Sequence, residues 1–177
     1  MLNFKKSIFL SIFCLGLSCQ IQAADLSTAD YKNLTKQKTF EHLLYEAYGN
    51  STHGPAGVLG YQVDSFFTNN FYFSIAIYGI VSGNQGGFGI VSAGAGLRYN
   101  LINNLDFDSK LLIGSGGGGG VKGGGGIMFE VLSGLSWQLL KNIYLDFKIG
   151  YLKFPTGELE TFTYNFGFSW RYDKLIL

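Results

Sequence analysis

The chain of 177 residues carries 13 lysines and arginines against 12 acidic residues, and so near-neutral a balance removes the electrostatic case for nucleic acid as a partner. Only 14% of it is charged while 16% is aromatic, against about 25% charged in ordinary soluble domains. Yet no run beyond the N-terminal stretch stays apolar for the ~18 residues a membrane helix needs, so one domain of this length must hide its apolar surface some other way.

The chain opens on "MLNFKKSIFLSIFCLGLSCQIQAADLS", with basic Lys5 and Lys6, an apolar run from Ser7 to Leu17, and small Ala23 and Ala24. This layout predicts a secretory signal peptide over residues 1–23, cut after Ala23 or Ala24. The apolar run is too short for a span of ~20 residues. Cys14 and Cys19 both fall inside this leader, which leaves the processed chain without thiol, disulfide or cysteine metal ligand. A lipoprotein reading would acylate Cys19, but Gly16 stands where a branched aliphatic belongs. Without Lys5 and Lys6 the balance is 11 basic to 12 acidic residues.

Residues 24–37 read as an N-terminal periplasmic segment, in which Ser27 and Asp30 resemble a capping box and predict a short helix around 27–37. "KTFEHLLYEAYG" (38–49) is ambiguous, because Phe40, Leu43, Leu44 and Ala47 have helical spacing. From there on, alternation takes over. "VLGYQVDSF" sets Leu59, Tyr61 and Val63 against Gly60, Gln62 and Asp64; "FYFSIAIYGIV" sets Phe71, Phe73, Ile75 and Ile77 against Tyr72, Ser74, Ala76 and Tyr78. "VSAGAGLRYNL" opposes Val91, Leu97, Tyr99 and Leu101 to Ser92, Gly94, Gly96 and Arg98; "LDFDSKLLI" opposes Leu105, Phe107, Leu111 and Ile113 to Asp106, Asp108 and Lys110. "IMFEVLSGLSWQL" and "IYLDFKIGY" repeat the pattern, with Glu130, Asp146 and Lys148 on the polar side. Last, "ETFTYNFGFSWRY" places Phe162, Tyr164, Phe166, Phe168, Trp170 and Tyr172 on one face. A period of two with one apolar face predicts strands.

Asn69-Asn70, Asn103-Asn104 and Lys141-Asn142 predict tight turns, on the ground that Asn tolerates the positive φ such turns use. Between them lie longer links: 82–87, 114–126 and 155–160. Short and long connections in alternation predict a meander whose two ends meet different surroundings. Seven clear strands need a partner, so 38–49 is taken as the eighth, with 50–57 the loop after it. The expected architecture is an all-β, antiparallel up-and-down transmembrane β-barrel of eight strands over 38–172. A short helical segment precedes it, and a tail follows at 173–177.

The face opposite the apolar one decides between a membrane barrel and a soluble, lipocalin-like one. Asp64, Arg98, Asp106, Asp108, Lys110, Glu130, Asp146, Lys148 and Arg171 collect there with glycines and serines. Nearly balanced charges suit pairing inside a closed barrel with lipid outside. Tyr99, Trp137, Tyr151, Trp170 and Tyr172 fall at strand ends, where aromatic girdles belong.

"NFGFSWRY" resembles the C-terminal signal strand of bacterial outer-membrane proteins, with Asn165, Gly167, Trp170 and Tyr172 at the polar, glycine and two aromatic positions. The layout over 38–172 is similar to that of the small eight-stranded outer-membrane β-barrel proteins of Gram-negative bacteria. Those proteins end on the aromatic, whereas "DKLIL" follows Tyr172 here. The resemblance implies an outer-membrane location, contact with its lipid, recognition of the last strand by the barrel assembly machinery, and a monomer.

The chemistry-bearing residues are few. The glycine tract (114–126) lacks the Lys-Ser/Thr pair and helix of a phosphate loop, since glycine follows Lys122; it predicts a flexible surface loop or glycine-rich strand ends. His42 and His53, with Ser51 and Glu46 nearby, could be imagined as a lipid A-modifying site, but the histidines read more simply as surface polar residues. No spacing suggests a metal, and no cofactor is expected. Eight strands enclose a space that side chains fill, so the inward charges are expected to pair into a plug. The expected function is non-enzymatic, structural or in surface interaction through the long loops, with no identifiable loop partner. The alternatives are a lipid A-modifying enzyme and a periplasmic lipocalin-like binder.

Overall fold

A computed structural model describes residues 35–49, 54–83, 86–119, 121 and 124–176. Eight strands follow one another: β1 (Thr35–Tyr48), β2 (Ala56–Phe66), β3 (Phe71–Ser82), β4 (Gly89–Ile102), β5 (Leu105–Gly117), β6 (Ile127–Leu140), β7 (Ile143–Lys153) and β8 (Glu160–Ile176). They form a closed barrel in chain order, β8 returning to β1, and each strand pairs antiparallel with the next from β1 to β8. Closure leaves no sheet edge, which is what allows strands to cross a membrane at all.

The alternating residues form strands because each face meets a different medium. Along β3, Tyr72, Ser74, Ala76 and Tyr78 are buried, while Phe71, Phe73, Ile75 and Ile77 are exposed. The same holds around the barrel, where Leu59, Val91, Leu111, Val131, Phe147 and Phe166 stand on the outside. A soluble barrel would have turned these side chains inward. Trp137, Tyr99, Trp170 and Tyr172 mark the short-turn end of this belt, and Tyr151 the long-loop end.

Three expectations change. The helix expected at 27–37 lies outside the described residues up to 34, and residues 35–37 are strand, the opening of β1. The tail extends β8 as far as Ile176. The short turns stand where expected, but no described non-glycine residue has positive φ, so Asn is not used for that freedom. The ladders shift register at Asn100/Ile102 and Gln138/Leu140, and these bulges take up the geometry beside the turns. The 67–70 connection is held instead by Thr68, whose Oγ1 accepts from the Asn70 and Phe71 amides.

Inside, the barrel is layered. At the short-turn end Phe40, Phe66, Tyr72 and Tyr144 form an aromatic cluster. At the long-loop end Val58, Ala76, Tyr78, Phe88, Ile90, Met128, Leu152, Phe154 and Leu159 pack with Leu44 and Tyr48 into an apolar core. Charged side chains occupy the layer between. The tyrosines fit because glycine faces them across the ladder: a Cβ on Gly96 would lie 2.3 Å from the Tyr72 ring, and one on Gly60 would lie 2.2 Å from Tyr78.

The glycine tract is only partly the loop expected. Gly114–Gly117 belong to β5, and the described remainder packs backbone against backbone. A Cβ on Gly118 would sit 2.3 Å from the Gly87 carbonyl, and one on Gly124 would sit 2.0 Å from the Thr156 carbonyl. The Gly125 amide donates to Thr156 Oγ1 at 2.9 Å. Glycine is used here for close approach between neighbouring loops.

Candidate functional site

The charged layer is the part of this molecule with chemistry in it. β1 sends His42 and Glu46 inward, β2 Asp64, β4 Arg98, β5 Asp108 and Lys110, β6 Glu130, and β7 Asp146 and Lys148; all nine are buried. Their centre is His42. Its Nδ1 shares a hydrogen bond with Asp146 Oδ2 at 2.9 Å, and its Nε2 lies 2.9 Å from Asp64 Oδ2, so the ring sits between two buried carboxylates.

Around this bridge each carboxylate collects more than one partner. Asp64 accepts from Gln62 Nε2 at 2.6 Å and pairs with Lys110 at 3.6 Å. Asp146 also accepts from Ser136. Asp108 accepts from Arg98 Nε at 2.9 Å and Tyr72 OH at 2.7 Å, with Lys148 Nζ at 3.4 Å. The Arg98 guanidinium lies over the Phe40 ring, 4.1 Å from its centroid, a contact strengthened by desolvation. Higher up, Glu130 accepts from Thr163 and Glu46 from Asn165. Ions removed from water need such multiple partners to be tolerated.

Seven of the nine residues expected in the lumen are thus buried in this layer. Asp106 and Arg171 are not. Asp106 is half-buried at the short-turn mouth, where Asn100 Nδ2 donates to it at 2.9 Å; Arg171 is exposed and pairs with Asp173 at 3.7 Å. Both line a polar recess of about 260 Å³ with Lys38, Asn69, Asn70 and Arg98. They sit one step beyond the aromatic cluster, where water competes for them.

His42 and Glu46 take their places in the buried layer. The reading of His42 as a surface residue is therefore corrected: it is fully buried. A usable signal existed, since His42 and Glu46 share the parity of Phe40 and Leu44 on β1, but helical spacing at Phe40, Leu43, Leu44 and Ala47 obscured it. His53 and Ser51 lie outside the described residues. Among the described residues no group of acids and histidines has the arrangement of a metal site.

The four C-terminal signature residues all meet β1. Asn165 reaches Glu46 at 3.1 Å, Gly167 lies against the Leu43 carbonyl, and Trp170 and Tyr172 both donate to Glu41.

No family model matches the chain, and no curated protein matches it in sequence. Solved structures do. Neisserial surface protein A is 14% identical with a TM-score of 0.52, over 77% of this chain and 97% of that one. Ail, the attachment invasion locus protein of Yersinia pestis, is 14% identical with a TM-score of 0.52, over 77% and 98%. The N-terminal β-barrel domain of Pseudomonas aeruginosa OprF is 12% identical with a TM-score of 0.55, over 78% and 99%. The chain has the fold of the small eight-stranded outer-membrane β-barrels. With an apolar belt on its outside, it is a transmembrane barrel of the outer membrane, and the periplasmic lipocalin-like alternative falls. Such low identities carry the fold across and leave loops and lumen to be read from this chain.

Proposed function

We propose that this outer-membrane barrel is a non-enzymatic monomer that acts structurally or in surface interaction through its long loops. The observation that carries this reading is the filled lumen. An aromatic layer, a paired charged layer and an apolar layer succeed one another along the axis, so the interior offers neither a pore nor an open cleft. Short turns facing the periplasm and long loops facing outward is the usual orientation of such barrels, and it puts residues 83–88, 118–126 and 154–159 at the cell surface. Two of the similar proteins carry "surface protein" and "attachment invasion" in their names, which supports a surface role here.

The inward charges are proposed to rigidify the barrel, and Asn165, Gly167, Trp170 and Tyr172 to be the strand read by the barrel assembly machinery. A lipid A-modifying role finds no support at His42, which is fully buried between two aspartates. The test is a strain carrying the protein, one lacking it, and one with residues 118–126 and 154–159 replaced by short polar turns. The reading expects identical lipid A masses in all three, and loss of surface attachment in the last two. A lipid A mass that changes with the protein would overturn it.

A further inference from the structure

Among the described residues, Glu41 on β1 is the charged side chain that faces outward away from the strand ends; Lys153 and Glu160 also face outward, but at the long-loop ends of β7 and β8, and Lys174 lies past the short-turn end of β8. Between those ends the other outward positions are apolar, aromatic, glycine or hydroxyl residues. A carboxylate on the lipid-facing side of a barrel is costly unless its oxygens are satisfied. Here they are. Trp170 Nε1 donates to Glu41 Oε2 at 3.0 Å, and Tyr172 OH donates to Glu41 Oε1 at 2.6 Å. Tyr61 of β2, two residues before Glu41's ladder partner Val63, faces outward beside it.

The position of this cluster matters more than its strength. Every other pair of neighbouring strands is joined by a turn or loop, whereas β8 and β1 meet only through space. At that seam the Gly49 amide donates to the Phe162 carbonyl at 2.9 Å near the long-loop end, and Asn165 reaches Glu46 inside. Glu41 is the outward, short-turn-end counterpart. Its partners from β8 are the two aromatic residues of the C-terminal signature.

We propose that Glu41 is the closing latch of the barrel. Its carboxylate receives the indole and phenol donors of the last strand when β8 pairs with β1, and it holds that seam shut. The inference goes beyond the surface role proposed above and does not depend on it.

The test uses the full chain refolded in detergent micelles, with amide hydrogen exchange followed strand by strand. Glu41→Leu should speed exchange in the halves of β1 and β8 nearest the short turns by about tenfold, the size expected for losing hydrogen bonds to a charged group, and leave β4 and β5 unchanged. Trp170→Phe with Tyr172→Phe keeps two rings at these positions and removes only the donors; it should give the same local rise. Combining it with Glu41→Leu should add nothing further. If Glu41→Leu does not fold, Glu41→Gln, which keeps one acceptor oxygen, should fold with a smaller rise confined to the same seam. Exchange that is unchanged, that rises evenly in all strands, or that adds up across the combined variant would overturn the proposal.

Discussion

His42 shows how much one side chain can decide. It sits between two fully buried aspartates, of which Asp64 also holds Lys110 and Asp146 also accepts from Ser136. Replacing it with alanine leaves two buried carboxylates short of a partner, a change that costs roughly 3–5 kcal/mol. Urea titration of His42→Ala in micelles should show that loss, and adding Asp64→Asn should recover part of it, since one uncompensated charge then disappears. Arg171→Ala serves as the control: exposed at the mouth and paired with Asp173, it should shift stability by no more than about 0.5 kcal/mol. Equal losses for His42 and Arg171 would mean the buried layer does not organise the barrel.

At the level of strands, glycine placement separates positions that look alike in sequence. Gly96 on β4 lies under the Tyr72 ring, whereas a Cβ on Gly79 of β3 would meet nothing within 4 Å. Gly96→Ala should therefore cost about 1–3 kcal/mol by displacing Tyr72 and weaken its bond to Asp108, while Gly79→Ala should change little. A matched pair of thermal melts checks this, and similar shifts for both would contradict it. The same contrast explains what was legible in the sequence. Alternation at β2 to β8 exposed the strands and their faces, because a membrane on one side and a packed lumen on the other impose period two along each strand except at the register shifts near its ends. β1 was harder, since its polar inward residues are a histidine and a glutamate among leucines that also fit a helix. The pairing of Asp64 with Asp146 through His42 was not legible at all. It depends on bringing β1, β2 and β7 around a closed ring, and spacing along the chain carries no trace of that geometry.

For the whole molecule, the lipid belt and the packed lumen make opposite demands on the same kind of substitution. Ile75 faces outward at the middle of β3, so Ile75→Arg should cost about 2–4 kcal/mol in a bilayer, read as a lower urea midpoint for unfolding of the barrel in lipid vesicles; no shift would place lipid elsewhere than on this face. The lumen leads to a sharper expectation. Eight strands leave a bore just wide enough for side chains, and here Phe40, Phe66, Tyr72 and Tyr144 close one end while Met128, Leu152 and Phe154 close the other. An ion entering from the short-turn mouth would meet the aromatic layer first. It would then have to break pairs such as Arg98–Asp108 at 2.9 Å, and finally cross an apolar layer with nothing to solvate it. Purified barrel in a planar bilayer should accordingly show no unitary conductance steps under applied voltage, and vesicles containing it should release a small neutral sugar no faster than bare ones. Widening only the apolar layer, with Phe154→Ala and Met128→Ala, should leave the bilayer silent because two barriers still stand. Steady single-channel steps in the unmodified protein would show that the layers open together, and the lumen would then have to be treated as a gated path.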